Sequence, residues 1–269
     1  MSYIKTEEEI KILKDGGKIL GHILETLAKM VKPGVSAKEI DDEAERLILK
    51  AGGLPSFKNY KSSKNDPPFP STVCFSINED LVHGIASKEK IIKKGDIVSI
   101  DIGMKYPANS SKPKANRGLY TDTSITVAVG RIPKETKQLL NVTKQALEIG
   151  IKHCVVGNTI ADIGRAIQEY VEPFGYGIVR DLVGHGVGHA VHEDPRVPNF
   201  YDSSLESWKL EPGVVIAIEP MVTMGGYRIG VADDGWSIST ADKSLCAHSE
   251  HTVVITCKKP MVVTRRPRE

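Results

Sequence analysis

The sequence of 269 residues predicts a single α/β body made of two related halves, strands inside and helices outside. Three observations predict it. A helix, turn, helix pattern occurs twice at a fixed displacement; each half follows it with two strand runs that carry a carboxylate at one end; and a His-Gly-aliphatic triplet recurs.

In the first half, Ile19, Ile23 and Leu27 mark one face of a helix by their spacing. That helix ends at the Pro33-Gly34 turn, and Ser36 with Glu39 forms a capping box that opens the next, which runs to Gly52. In the second half, Leu139, Val142 and Ala146 repeat the helical spacing. Gly157 then stands against Gly34, Thr159 against Ser36, Asp162 against Glu39 and Ile163 against Ile40, each displaced by 123 residues, and this helix stops at Gly175.

Strands follow. Lys94–Asp101 matches Glu211–Glu219, a turn feeding β-branched residues and ending on a carboxylate, with Gly95 against Gly213 and Asp101 against Glu219. Asp122–Val127 and Glu250–Ile255 form a second pair, each opening on a carboxylate, and His83-Gly-Ile echoes His185-Gly-Val. These displacements run from 102 to 128 residues, so the halves differ in loop length. The expected organisation is one domain, 1–269, with halves near 12–130 and 134–258 about an approximate two-fold axis.

Composition narrows the function classes. With 36 Lys plus Arg against 34 Asp plus Glu, the formal charge of +2 is no nucleic-acid signature, and no specific DNA binding is expected. No apolar run approaches the roughly 20 residues that span a bilayer; Val214–Ile218 has strand length. Met1–Lys14 is rich in Lys and Glu and lacks the apolar core of a secretory signal, so a cytoplasmic location is expected. Cys74, Cys154, Cys246 and Cys257 contain no C-x-x-C pair and read as reduced, buried small hydrophobes.

Asp101 and Glu219 end apolar strand runs, where an ionised carboxylate costs several kcal/mol without a partner. Opposed residues on antiparallel strands bring side chains within roughly 5 Å, so two hairpins can present four carboxylates. Such a group attracts one or two divalent cations, unless Lys or Arg partners supply the charge or the acids are ordinary turn residues. Leu182–Pro195 adds His185, His189 and His192 among glycines that disfavour a helix, and His192-Glu193 lacks the second His of a helical zinc motif.

These residues resemble the type I methionine aminopeptidases over nearly the whole chain. The resemblance rests on Val82–Ile85, Ile97–Gly103, Tyr120–Ser124, Gly184–Gly188, His192–Pro195, Ile218–Met221, Asp234–Trp236 and Glu250–Thr252, in order. It implies the pita-bread fold and removal of the N-terminal methionine from nascent polypeptides. It implies two divalent ions, Co, Mn, Fe(II) or Zn, held by Asp101, Asp122, His185, Glu219 and Glu250, with Asp122 and Glu250 bridging. Glu219 would also shuttle a proton, His192 would stabilise the oxyanion, and His83 would bond the scissile amide. Tyr60, Phe69, Cys74, Val191 and Trp236 would form the methionine pocket. A monomer is expected.

Three features depart from the family pattern. Asp101 and Asp122 are separated by an irregular basic stretch, Lys105–Gly118, expected to flank the entrance; Lys61–Pro68 resembles an insertion; and His189 has no family counterpart. The tail, Lys258–Pro260 and Arg265–Arg268, offers positive charge toward ribosomal RNA. Two rival readings remain in view: a proline-directed peptidase of the same fold, and a binding protein that has lost catalysis.

Overall fold

The computed structural model describes residues 3–61, 67–108 and 118–269. Helix α1 (Glu7–Met30) begins at a capping box in which Thr6 and Glu9 satisfy each other's backbone N–H. The predicted box of Ser36 and Glu39 opens α2 (Ala37–Lys50). After α3 (Lys134–Lys152), its counterpart of Thr159 and Asp162 opens α4 (Ile160–Val171). The turns before α2 and α4 both need a left-handed residue, and Gly34 and Gly157 supply it at φ +90° and +98°. α4 ends four residues before the predicted Gly175 stop, because Pro173 has no N–H to continue the ladder and the chain tightens into a 3-10 turn over Glu172–Phe174.

The equivalence of the two caps gives a direct expectation. Ser36→Ala and Thr159→Ala should each cost about 1 kcal/mol. Lying in different halves, the two losses should add to within a few tenths of a kcal/mol in urea unfolding.

A nine-stranded sheet carries the helices. Its order runs Leu54–Pro55, Ile97–Tyr106, Leu119–Ala128, Glu250–Val254, Val215–Ile218, Gly184–Gly186 and Glu193–Val197. Val73–Ile77 also pairs with Ile97–Tyr106, and Met261–Val262 with Glu250–Val254; every pairing between these strands is antiparallel. The two predicted strand pairs meet at the seam between Leu119–Ala128 and Glu250–Val254, where Glu250 lies opposite Ser124 and His251 opposite Thr123; only the first pair is a hairpin, because four strands intervene between Val215–Ile218 and Glu250–Val254.

Alternation along these strands separates core from site. Val98, Ile100, Ile102 and Met104 pack with α1 and α2 residues such as Leu20, Leu24 and Ile40. Ile216, Ile218 and Val253 pack with Leu139, Ala146, Ile163 and Ile167 of α3 and α4. The intervening residues, Asp101 and Glu219 among them, point away from this core.

Asp101 and Asp122 are not at strand ends as expected. Each lies inside a ten-residue strand, because buried apolar positions continue past Asp101 at Ile102 and Met104. Glu219 directly follows its strand, and Glu250 opens its own. Of the cysteines, Cys74, Cys154 and Cys246 are buried as expected, but Cys257 is exposed, in the irregular segment after Val254. Among the described residues no helix is long and apolar enough to cross a membrane.

Candidate metal centre

The sheet register gathers the acids on one face. Cys74, Asp101, Ser124 and Glu250 form a row across four strands, each opposite the next. Asp122, two residues from Ser124, shares that face and lies diagonal to Asp101, since its direct partner is Gly103. Asp101 and Asp122 therefore converge diagonally rather than face to face. In the other half Ile218 lies opposite His251, so continuing the register by one residue sets Glu219 against Glu250. His185, opposite Ala217, completes the face.

His185 sits between Gly184 and Gly186 in a strand squeezed from both sides. A Cβ at Gly184 would lie 2.4 Å from the Ala217 carbonyl, and one at Gly186 would lie 2.1 Å from that of Asp194. His185 Nδ1 lies 2.9 Å from the Gly186 carbonyl, to which it donates. Its Nε2 is left as a lone pair, 3.5 Å from Asp122 Oδ2 and 3.6 Å from Glu219 Oε1.

The ligand atoms of Asp122, His185 and Glu250 all lie within 4.8 Å of one another. Asp122 and Glu250 are 3% and 2% exposed, the most enclosed of the four acids, as befits groups at the seam. Thr252 donates to the Asp122 carbonyl at 2.8 Å and to its Oδ1 at 3.2 Å. Asn199 Nδ2 donates to the Glu219 carbonyl at 3.0 Å.

Divalent metal fits these residues on three counts. Burial, reinforced by neighbouring acids, pushes Asp101 up to about 7 and Glu219 up to about 8 and raises Glu250, while burial alone raises Asp122. Asp101 Oδ1 is buried with no hydrogen-bond partner among the described residues. The imidazole offers a lone pair where only acceptors surround it. A second acidic cluster, Glu148, His251 and Glu269, differs in this respect: Arg265 bonds Glu148, and Arg266 Nη2 donates to Glu269 at 2.6 Å, so it carries its own counter-charge.

A cavity of about 90 Å³ opens over the acids. Tyr60, Phe69, Cys74, His83, His192 and Trp236 line it, as the sequence suggested, together with Phe57, which the sequence reading missed. Val191 is buried but does not line it. Asp234 shapes the turn that presents Trp236, accepting from the N–H groups of Trp236 and Ser237 at 2.8 and 2.7 Å. Trp236 then meets Phe69 edge to face at 5.3 Å. At about 10–15 Å³ for each water-sized group, the cavity admits one short side chain rather than a peptide.

His192 lies at the rim, where its ring meets His185 at 4.5 Å and its Nδ1 is 2.8 Å from the Tyr60 hydroxyl. Burial lowers His83 to about 4; burial, then His185 and His83, lower His192 to about 3. Both imidazoles are neutral at pH 7. The loop bearing His192 is tied to the amino-terminal segment: Lys5 Nζ donates to Glu193 Oε2 at 2.7 Å, and His189 Nε2 lies 2.6 Å from Glu9 Oε1 on α1. His189 is thus an anchor of the loop rather than a group facing the acids.

Residues 62–66 and 109–117 lie outside the described residues, and with them most of the Lys61–Pro68 and Lys105–Gly118 stretches and the expected entrance role of the latter. In the tail, Arg265 and Arg266 are engaged internally, Arg266 donating to the Ser124 carbonyl at 3.1 Å, while Lys258 and Lys259 are exposed.

The chain as a whole is similar to known proteins. Residues 11–257 match the model of metallopeptidase family M24. The chain is 42% identical over 264 residues to a methionine aminopeptidase of Clostridium acetobutylicum, covering 98% of this chain and 99% of that one. It is 41% identical to methionine aminopeptidase 1 of Bacillus subtilis, covering 95% and 96% of the two. The crystal structure of methionine aminopeptidase from Thermotoga maritima superposes with a TM-score of 0.88 at 37% identity, over 98% of this chain and 99% of that chain. A prolidase from Pyrococcus horikoshii shares the fold at a TM-score of 0.75 and 24% identity; 99% of this chain matches only 64% of that one. With a full-length match, the pita-bread architecture and a buried acidic centre, the chain belongs to metallopeptidase family M24, among its methionine aminopeptidases.

Proposed function

We propose that this enzyme removes the N-terminal methionine from peptides and nascent proteins, using a dinuclear metal centre. The observation that carries the proposal is the convergence of Asp101, Asp122, His185, Glu219 and Glu250 at the base of a small, largely apolar cavity. These five residues would together hold the ions. Four carboxylates and one imidazole suit Mn, Fe(II), Co or Zn. Bound there, the ions would supply an acidified water and a polarised scissile carbonyl.

The chain's own groups do the rest. Glu219 takes the proton of the attacking water and returns it to the leaving amine. Tyr60 O–H donates to His192 Nδ1, so the neutral imidazole presents Nε2–H to the developing oxyanion. His83 bonds the scissile amide. Phe57, Tyr60, Phe69, Cys74 and Trp236 enclose one thioether-sized side chain, which selects the residue that is removed. The substrates would be nascent chains in the cytoplasm.

Tyr60→Phe should lower kcat about tenfold, the loss of roughly 1.4 kcal/mol of orientation, with metal affinity unchanged. Equal kcat in the variant would remove Tyr60 from this role. For the function as a whole, metal-loaded protein should release methionine from Met-Ala-Ser and bind two ions per chain by elemental analysis. Cleavage of Xaa-Pro peptides without methionine release would overturn the reading in favour of a proline-directed peptidase.

A further inference from the structure

His248 is the most enclosed histidine at the centre, 1% exposed, and neither ring nitrogen completes a hydrogen bond among the described residues. A neutral imidazole always carries one N–H, and an unmet buried donor costs about 1–3 kcal/mol. Its backbone is pinned. His248 pairs with Met221, its N–H donates to Thr126 Oγ1 at 2.9 Å, and Thr126 donates back to its carbonyl at 2.7 Å. The ring is thereby aimed at Glu219, with Nε2 3.5 Å from Oε2.

The two carboxylate oxygens of Glu219 thus meet different histidines. Oε1 faces His185, whose N–H is committed to Gly186 and whose Nε2 is a lone pair. Oε2 faces His248, for which Glu219 is the acceptor within reach of Nε2. We infer that His248 is a positioning residue: its Nε2–H donates to Glu219 Oε2, holding that carboxylate with Oε1 toward the metal and Oε2 oriented for proton transfer. The inference rests on the proposed metal centre. It goes further by assigning a role to a residue outside the four acids and one imidazole of the centre and the two cavity-lining histidines, His83 and His192.

Groups that orient a metal ligand typically contribute about 10- to 100-fold in affinity or activity. His248→Met, similar in volume but without a donor, should weaken one of two Zn²⁺ equivalents about tenfold or more by calorimetry and lower kcat more than it raises KM. His248→Gln, which restores an N–H near the same place, should recover both to within about threefold. If Met and Gln variants are equally impaired, the ring only fills space; if both match the wild type, it does nothing for Glu219. A measurement on the unmodified protein covers the case of unfolded variants. In ring-nitrogen NMR, zinc loading should leave His248 as the Nε2–H tautomer with its proton moved downfield. An Nδ1–H tautomer, or a nitrogen shift of direct ligation, would refute the assignment. Wild-type protein that bound no zinc would instead sink the metal reading itself, and this inference with it.

Discussion

Asp122→Asn should lower kcat/KM by about a thousandfold or more, the equivalent of roughly 4 kcal/mol of transition-state stabilisation. It should do so without unfolding the chain. Asp122 lies at the seam between the two strand pairs, 3% exposed and 3.5 Å from His185 Nε2, so a cation bound between the halves would share its charge. Asparagine keeps the shape, can keep the hydrogen bond from Thr252, and removes one of four buried acids whose ionised forms repel one another. The metal-free variant should therefore melt at or above the wild-type temperature, while binding fewer ions. Wild-type activity would refute the site; lower metal-free stability would mean that Asp122 is a structural acid.

Much of this site could be read from sequence because its determinants are local. The capping residues Ser36 and Thr159 carry their own signal, and the four acids stand at recognisable places beside apolar runs. What could not be read depends on separations that no local pattern encodes. The strand through Asp101 continues because Ile102 and Met104 find core, which pairing with Leu119–Ala128 decides. Lys5 meets Glu193 across 188 positions, and Arg266 reaches the Ser124 carbonyl across 142. Val191 is adjacent to His192 and buried, yet it is not among the residues that line the cavity. His248 stands two residues before Glu250, a signal that was available, but its unmet nitrogens appear only once the strand of Met221 is laid beside it.

Stripped of metal, the protein should lose stability as pH rises from 6.5 to 8, and saturating metal should cancel or reverse the loss. In the folded, metal-free chain burial holds Asp101 at about 7 and Glu219 at about 8, against ordinary values of 3.8 and 4.5. Between the ordinary and folded values the folded state binds more protons than the unfolded one, so stability falls with rising pH. Histidines act oppositely: His83 and His251 are lowered to about 4 and His192 to about 3, so they favour folding increasingly as pH rises, but only up to their ordinary 6.5. Above 6.5 the carboxylates act alone. For a domain of this size each kcal/mol corresponds to about 2–4 °C in Tm, so a drop of several degrees across this window is expected in chelator. Metal binds the ionised acids, and its affinity rises with pH where the empty site becomes most strained. A flat or rising Tm in chelator would show that the acids are neutralised by something other than protons, and would remove the electrostatic case for a cation at the seam.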